Sequence, residues 1–179
     1  MKVVCCAAAL LLLAGAACAD GFKPLPILGS TRLDLDVQDG HFCGWIINDL
    51  GAVNAVRATL QVHRRGSDAK WAPTFSIALV NGKNRVTFNL LAAAPDLPMV
   101  ARVSQPADKA DDLGQLLGKL DMDTPLDVAI DWTPDGSVTV KAGGKSAAVS
   151  LGAPVKGLEI TGSTGEFELN PLQIGTATP

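Results

Sequence analysis

The sequence has no tyrosine, few other aromatic residues and almost no histidine. Its 179 residues include five phenylalanines, three tryptophans and two histidines, His41 and His63. A histidine-rich metal centre is therefore excluded, and no G-x-S-x-G nucleophile elbow accompanies either histidine. Valine, leucine, isoleucine and alanine must supply most of the hydrophobic core.

Cysteine is also scarce outside the N-terminal segment. Three of the four cysteines, Cys5, Cys6 and Cys18, precede Asp20, and Cys43 alone follows it. A chain that starts at Asp20 therefore cannot form an internal disulfide. A lone cysteine is most often a small buried thiol, whereas an exposed one would allow pairing between chains.

The charge pattern contains no dense basic stretch. Fifteen lysines and arginines stand against 18 aspartates and glutamates, which gives a formal net charge of −3. Nucleic acid is therefore not an expected partner. Beyond the N-terminal segment, no run reaches the roughly 18 consecutive apolar residues that a membrane span requires.

The N-terminal segment has the pattern of a signal peptide. Lys2 precedes the apolar run from Val3 to Ala14, and Ala17-Cys18-Ala19 forms an A-x-A cleavage site. We therefore expect a signal peptide at 1–19, a single domain at 20–179 and an exported protein that is periplasmic or secreted. The alternative is a lipoprotein anchored through Cys18, although Gly15 stands where a lipobox normally has a bulky aliphatic residue.

The chain after Asp20 reads as a series of short strands. Apolar and polar residues alternate from Leu33 to Val37, from Val53 to Arg64, and from Leu126 to Trp132. This period of two is typical of half-buried strands. The Asp39-Gly40 pair predicts a hairpin turn. The sequence thus predicts an all-β antiparallel sandwich of the jelly-roll type.

One segment departs from this pattern. Leu113, Leu116, Leu117 and Leu120 recur at helical spacing after Pro106. The spacing predicts one short helix around residues 107–120.

Three stretches resemble a known superfamily. They are Trp71 to Ile77, Leu126 to Val140 with its Asp-Gly turn, and Ser163 to Phe167. In this order they resemble the concanavalin A-like lectin and glucanase superfamily, which includes laminin G-like modules. The resemblance implies a curved jelly-roll scaffold over most of residues 20–179. Because that scaffold carries lectins, hydrolases, adhesion modules and structural domains, it does not select a function.

Glu166 and Glu168 are the candidate catalytic residues. They alternate with Phe167 and Leu169, so both carboxylates and Asn170 share one face of a strand. Retaining glucanases of the resembled fold use acids at such positions, and a retaining mechanism needs carboxyl groups about 5–5.5 Å apart. Asn170 occupies the position where that family usually has a third acid. The other interpretation is a solvated acidic face.

Trp45 and Asn170 are the candidate ligand-binding residues. A tryptophan ring can stack on a sugar while polar neighbours hydrogen-bond its hydroxyls. Trp45 follows Gly44 and lies close to the Asp39-Gly40 turn, whereas Trp71 and Trp132 alternate with core residues and are expected to be buried.

No cofactor is expected, with calcium as the alternative. Asp34, Asp36 and Asp39 could offer carboxylate oxygens to calcium, but their spacing does not match a calcium loop. The sequence leaves open whether the protein is an enzyme. The favoured hypothesis is a non-catalytic domain that binds glycan or another envelope or extracellular protein. The alternatives are a glycan hydrolase that uses Glu166 and Glu168, and a structural or assembly subunit.

Overall fold

The computed structural model describes residues 23–24, 30–68, 71–92, 94, 96–105 and 114–177. The predicted signal peptide at 1–19, including Cys18, lies outside these residues. In the described part, all regular structure is β-strand, and no helix there could cross a bilayer. The predicted all-β, antiparallel class is confirmed.

The described residues form eleven strands in one antiparallel sheet. In chain order they are β1 (Lys23–Pro24), β2 (Ser30–Asn48), β3 (Ala55–Arg65), β4 (Thr74–Asn81), β5 (Asn84–Leu91), β6 (Met99–Ser104), β7 (Gln115–Leu120), β8 (Leu126–Trp132), β9 (Ser137–Ala142), β10 (Lys145–Ser150) and β11 (Gly157–Thr176). The main path is β10-β9-β8-β3-β11-β4-β5-β6-β7, with β1 and β2 also paired to β11.

The long strand β11 divides the sheet into two sides. Its residues 157–163 pair with β4, and its residues 165–175 pair with β3. We call β4 to β7, with 157–163 of β11 and 42–48 of β2, the β4 side. The β3 side consists of β3, β8, β9 and β10, with 165–176 of β11 and 30–37 of β2. Both long strands therefore run through both sides.

The regular pairing of β2 with β11 is interrupted at one point along the two strands. Residues 38–41 of β2 interrupt its pairing with β11, where the register jumps between Ser163 and Gly165. The amide of Gly40 donates to Oγ1 of the buried Thr164 at 3.3 Å, and both residues have positive φ angles. The predicted hairpin at Asp39-Gly40 is wrong. A two-residue type I′ turn requires positive φ at both residues, but only Gly40 of this pair has it. The flanking segments pair with β11 and stay in one strand.

The predicted helix is also wrong over residues 115–120, which form β7; residues 107–113 lie outside the described part. The register of β6 and β7 shifts between Ala101 and Arg102. This irregularity lets Leu117 and Leu120 face the core although they are three residues apart. A bulged strand therefore produced the spacing that resembled a helix.

A single aliphatic core lies on the inner face of the bent sheet. Phe75 of β4 and Phe167 of β11 pack there with ring centroids 5.6 Å apart, and Trp132 is 5% exposed. The far strands β7 and β10 also contact each other. The even–odd alternation that predicted the strands thus determines which side chains remain on the outer face.

Candidate functional site

The outer face of the β3 side carries a charged cluster around Glu168. The Glu168 cluster consists of Glu168, Arg32, His63, Asn170 and Asp123. Arg32 Nη2 lies 3.2 Å from Glu168 Oε2, and Asn170 donates to Glu168 Oε1 at 3.1 Å. Three strands and the turn after β7 supply these residues, because alternation directs residues 168 and 170 of β11 and residue 63 of β3 away from the core.

His63 bridges two carboxylates in this cluster. Its Nδ1 lies 2.8 Å from Asp123 and its Nε2 lies 3.1 Å from Glu168. The hydrogen bonds to Asp123 and Glu168 raise the pKa of His63 above its ordinary value. When protonated, the imidazolium donates to both carboxylates at once.

Glu168 is held in its charged form. Partial burial raises the pKa of Glu168, but the hydrogen bonds from Asn170 and His63 and the charge of Arg32 outweigh it. The pKa of Glu168 therefore lies below its ordinary value. A carboxylate in this state is poorly suited to donate a proton as a general acid, because that role needs a raised pKa.

Replacing His63 with glutamine is expected to flatten the pH dependence of stability above neutral pH. Because the folded-state pKa of His63 is raised, its stabilising contribution is complete below the unfolded pKa, near 6.5, and is lost as pH rises through the folded value. Thermal unfolding between about pH 6 and about pH 8.5 should show Tm falling in the wild type and falling less in His63→Gln.

His41→Gln is the control, because Nδ1 of His41 lies 3.0 Å from the main-chain oxygen of Asp39 and not from a carboxylate. An identical fall of Tm in the wild type and in His63→Gln would contradict the prediction.

The other predicted site residues lie apart from one another. Glu166 is half-buried on β11, between Asp36 of β2 and Arg64 of β3. Trp45 is half-buried and packs against the core. Asn170 is exposed and contacts Glu168. Trp45 pairs with Ile160, before the register shift of β11, whereas Asn170 follows the shift, so the two residues are on different sides of it. The ligand-binding role of Trp45 and Asn170 remains a prediction.

The three aspartates considered for calcium are paired with arginines. Asp34 lies 3.0 Å from Arg32, and Arg64 contacts both Asp36 and Asp39 at 3.0 Å. In the residues that the structure describes, no three histidine, cysteine or acidic side chains are grouped so that they could hold a metal ion.

A groove on the β4 side exposes two aromatic rings. Phe42 of β2 is 64% exposed, and Trp71, just before β4, is 44% exposed. They line a groove of about 250 Å³, which we call the Phe42–Trp71 groove. Its other lining residues are Ala72, Thr74, Ser76, Thr161, Gly162 and Ser163. The expected burial of Trp71 is wrong, because β4 starts only at Thr74 and alternation does not extend back to residue 71.

Four hydroxyl groups line this groove. The Ser76 and Thr161 hydroxyls lie 2.6 Å apart, and Ser163 donates to the main-chain oxygen of Ala72 at 3.0 Å. Thr74 donates to the same oxygen at 3.1 Å. Thr74, Ser76 and Thr161 are half-buried, and each of their hydroxyl oxygens has a lone pair that can accept a hydrogen bond from a ligand, whereas Ser163 is only 6% exposed. The groove thus offers flat apolar surfaces beside hydrogen-bond acceptors.

A larger groove, of about 550 Å³, lies on the β3 side. It is lined by no aromatic ring, and three of its polar residues, Arg57, Thr59 and Asp127, are paired across the sheet. Arg57 contacts Asp131 at 2.6 Å, and Thr59 donates to Asp127 at 2.8 Å. The Phe42–Trp71 groove is smaller, but its chemistry is better suited to a ligand.

Comparison with known proteins identifies the scaffold only. No protein-family model matches the chain, and no curated protein sequence matches it. Three similar solved structures are the Emp46p carbohydrate recognition domain in its potassium-bound form, the carbohydrate-binding module CBM66 from Bacillus subtilis, and Scytalido-glutamic peptidase with a peptide-based transition-state analogue.

The three structures overlap most of the chain at low identity. The Emp46p domain has a TM-score of 0.51 at 10% identity, over 89% of this chain and 88% of its own. CBM66 has 0.50 at 7%, over 88% and 96%. The peptidase has 0.51 at 12%, over 77% and 74%. The resemblance to the concanavalin A-like scaffold is confirmed.

Proposed function

We propose that this protein is a non-catalytic domain that binds glycan in the Phe42–Trp71 groove. The observation that carries the proposal is the pair of exposed aromatic rings beside the hydroxyls of Thr74, Ser76 and Thr161. A sugar presents an apolar C–H face, which stacks on an aromatic ring, and hydroxyls that donate to fixed oxygens. The carbohydrate recognition domain and CBM66 support this reading, because they share the scaffold and are named for carbohydrate.

The architecture and the cellular location of the protein are also proposed. We propose that the bent sheet forms a two-layer jelly roll, which is supported by the contact between β7 and β10 and by the Phe75–Phe167 pair. We further propose that the protein is exported by the segment 1–19 and acts in the periplasm or outside the cell, with lipidation at Cys18 as the alternative.

A glycan hydrolase based on Glu166 and Glu168 is less well supported. A retaining mechanism requires one protonated acid and one carboxylate. Glu168 contacts Arg32, His63 and Asn170, which favour its charged form. Glu166 lies beside Arg64 on the β3 side, whereas the Phe42–Trp71 groove lies on the β4 side. A reducing-sugar assay of the wild type and of Glu168→Gln on a polysaccharide panel tests this alternative.

Removing either groove ring is expected to weaken glycan binding. Phe42→Ala and Trp71→Ala should each lower affinity by about tenfold or more, because the stacking surface is lost. A glycan array identifies the sugar, and calorimetry on that sugar measures the affinity of each variant.

Ile46→Ala is the matched control, because Ile46 is also on β2, is 59% exposed and lies outside the groove. Its affinity should stay near that of the wild type. Unchanged binding in both aromatic variants would remove the groove from the proposal. An array with no bound glycan would leave the structural or assembly role as the better hypothesis.

A further inference from the structure

A row of polar side chains leads away from the groove across four strands. Thr161 of β11 pairs with Ser76 of β4, Ser76 with Asn89 of β5, and Asn89 with Arg102 of β6. We call these four residues the cross-strand track. Because neighbouring strands are about 4.8 Å apart, the track spans about 14 Å from Thr161 to Arg102. It starts within the groove and points along the β4 side.

The track ends at an arginine that has no partner among the described residues. Four of the six arginines form ion pairs, and Arg65 donates to the main-chain oxygen of Leu97. Arg102 makes neither an ion pair nor a side-chain hydrogen bond with any residue that the structure describes. Asn89 of the track instead donates to Ser104 at 2.9 Å. Within the described part of the chain, the guanidinium of Arg102 therefore has donors that could serve a ligand.

Lys119 lies beside Arg102 on the same face. Lys119 of β7 is opposite Val100, which is two residues before Arg102 on β6. Diagonal neighbours of this kind are about 7–8 Å apart, within reach of two long side chains. Lys119 also forms no ion pair within the described part of the chain. The track thus ends at two neighbouring cations.

The strands of the β4 side carry more cations than acids. Its strands contain three cations, Arg85, Arg102 and Lys119, and one acid, Glu159, which lies 2.5 Å from Arg85. Arg102 and Lys119 are thus the strand cations of this side that form no ion pair with a described residue, on a protein whose net charge is −3. A local charge opposite in sign to that of the whole protein attracts an anionic ligand to this face.

We propose that the ligand is an acidic glycan, with a sugar ring in the Phe42–Trp71 groove and a carboxylate or sulfate at Arg102 and Lys119. This inference rests on the proposed function and adds the chemical class of the ligand. The guanidinium offers two parallel N–H donors to an oxyanion, and the lysine adds a second charge. Because both groups reach solvent, their contribution falls as salt concentration rises.

The test compares charged glycans with neutral forms of the same skeleton. The probes are oligogalacturonate with its methyl ester, and a heparin oligosaccharide with its desulfated, N-acetylated and carboxyl-reduced form. Calorimetry of the wild type should show at least one acidic member binding about tenfold or more tightly than its neutral form, with affinity decreasing in higher salt. A difference in the galacturonate pair indicates carboxylate recognition, because that oligosaccharide carries no sulfate; a difference in the heparin pair alone favours sulfate.

Charge-removing variants locate the anion site. Arg102→Gln and Lys119→Gln should each reduce binding of the acidic glycan by about three- to tenfold and leave binding of the neutral form unchanged. Lys141→Gln is the matched control, because Lys141 is exposed on the β3 side and lines the larger groove. A loss in Lys141→Gln alone would place the anion in that groove and overturn the inference.

The two proposals fail in different ways. If neutral and acidic forms bind equally and the Phe42 and Trp71 variants still lose binding, the acidic-glycan inference is wrong and the glycan-binding function stands. If neither probe pair nor any arrayed glycan binds, both are wrong. Equal affinity of wild type and Arg102→Gln for the acidic form also overturns the inference.

Discussion

Replacing Phe167 with alanine is expected to lower the free energy of unfolding by about 3–5 kcal/mol. Phe167 is 1% exposed and packs against Phe75 at 5.6 Å. Its ring also lies close to the backbone of Gly162 and Gly165, where an added Cβ would come within 3.1 Å and 2.9 Å of it. Because the backbone of β11 is held in place there by its paired strands, it cannot move in to fill the space of the missing ring. A cavity would therefore remain in the core.

Phe42→Ala is the matched control for this prediction. It makes the same chemical change at a side chain that is 64% exposed, so little buried contact is lost. Urea unfolding followed by tryptophan fluorescence measures both variants. A destabilisation of Phe167→Ala no larger than that of Phe42→Ala would contradict the packing described for the core.

Replacing Gly136 with alanine is expected to destabilise the protein by about 3 kcal/mol. Gly136 has a φ of +85°, and an added Cβ would lie 2.1 Å from the main-chain oxygen of Ala153. The turn cannot shift easily, because the Gly136 amide donates to Thr133 at 2.9 Å and its carbonyl accepts from Leu151 at 2.8 Å. The backbone strain of an alanine at this φ and the steric conflict with Ala153 therefore both lower the free energy of unfolding.

Gly144→Ala separates these two contributions. Gly144 has a φ of +77°, but nothing lies within 4 Å of an added Cβ. This variant should lose only the left-handed backbone preference, about 1 kcal/mol. Chemical denaturation of the two variants under identical conditions makes the comparison. Equal losses would show that the conflict with Ala153 is relieved at little cost.

The sequence predicted the strands well because alternation is a local signal. Segments such as Val53 to Arg64 and Leu126 to Trp132 agree with β3 and β8 within two residues. The path of the chain depends instead on distant partners. Asp39-Gly40 has the composition of a turn, but β11, more than a hundred residues later, holds both flanking segments in one strand.

The candidate sites were predictable only in part. The sequence placed Glu168 and Asn170 on one outer face, and the structure brings them together at 3.1 Å. The link from Glu168 through His63 to Asp123 joins residues 60 and 105 positions apart, and no local pattern indicates it. The exposure of Trp71 depended on where β4 begins, which the alternation of apolar residues did not show.

The pairing of β11 also determines when the protein can fold during synthesis. β11 is the last of the described strands to leave the ribosome, and β1, β2, β3 and β4 all hydrogen-bond to it. Until then β2 has no partner among the described strands, and no hydrogen-bonded strand joins β3 to β4. Such non-local pairing slows folding. The complete native sheet therefore cannot form until residues 157–176 are available to join the two sides.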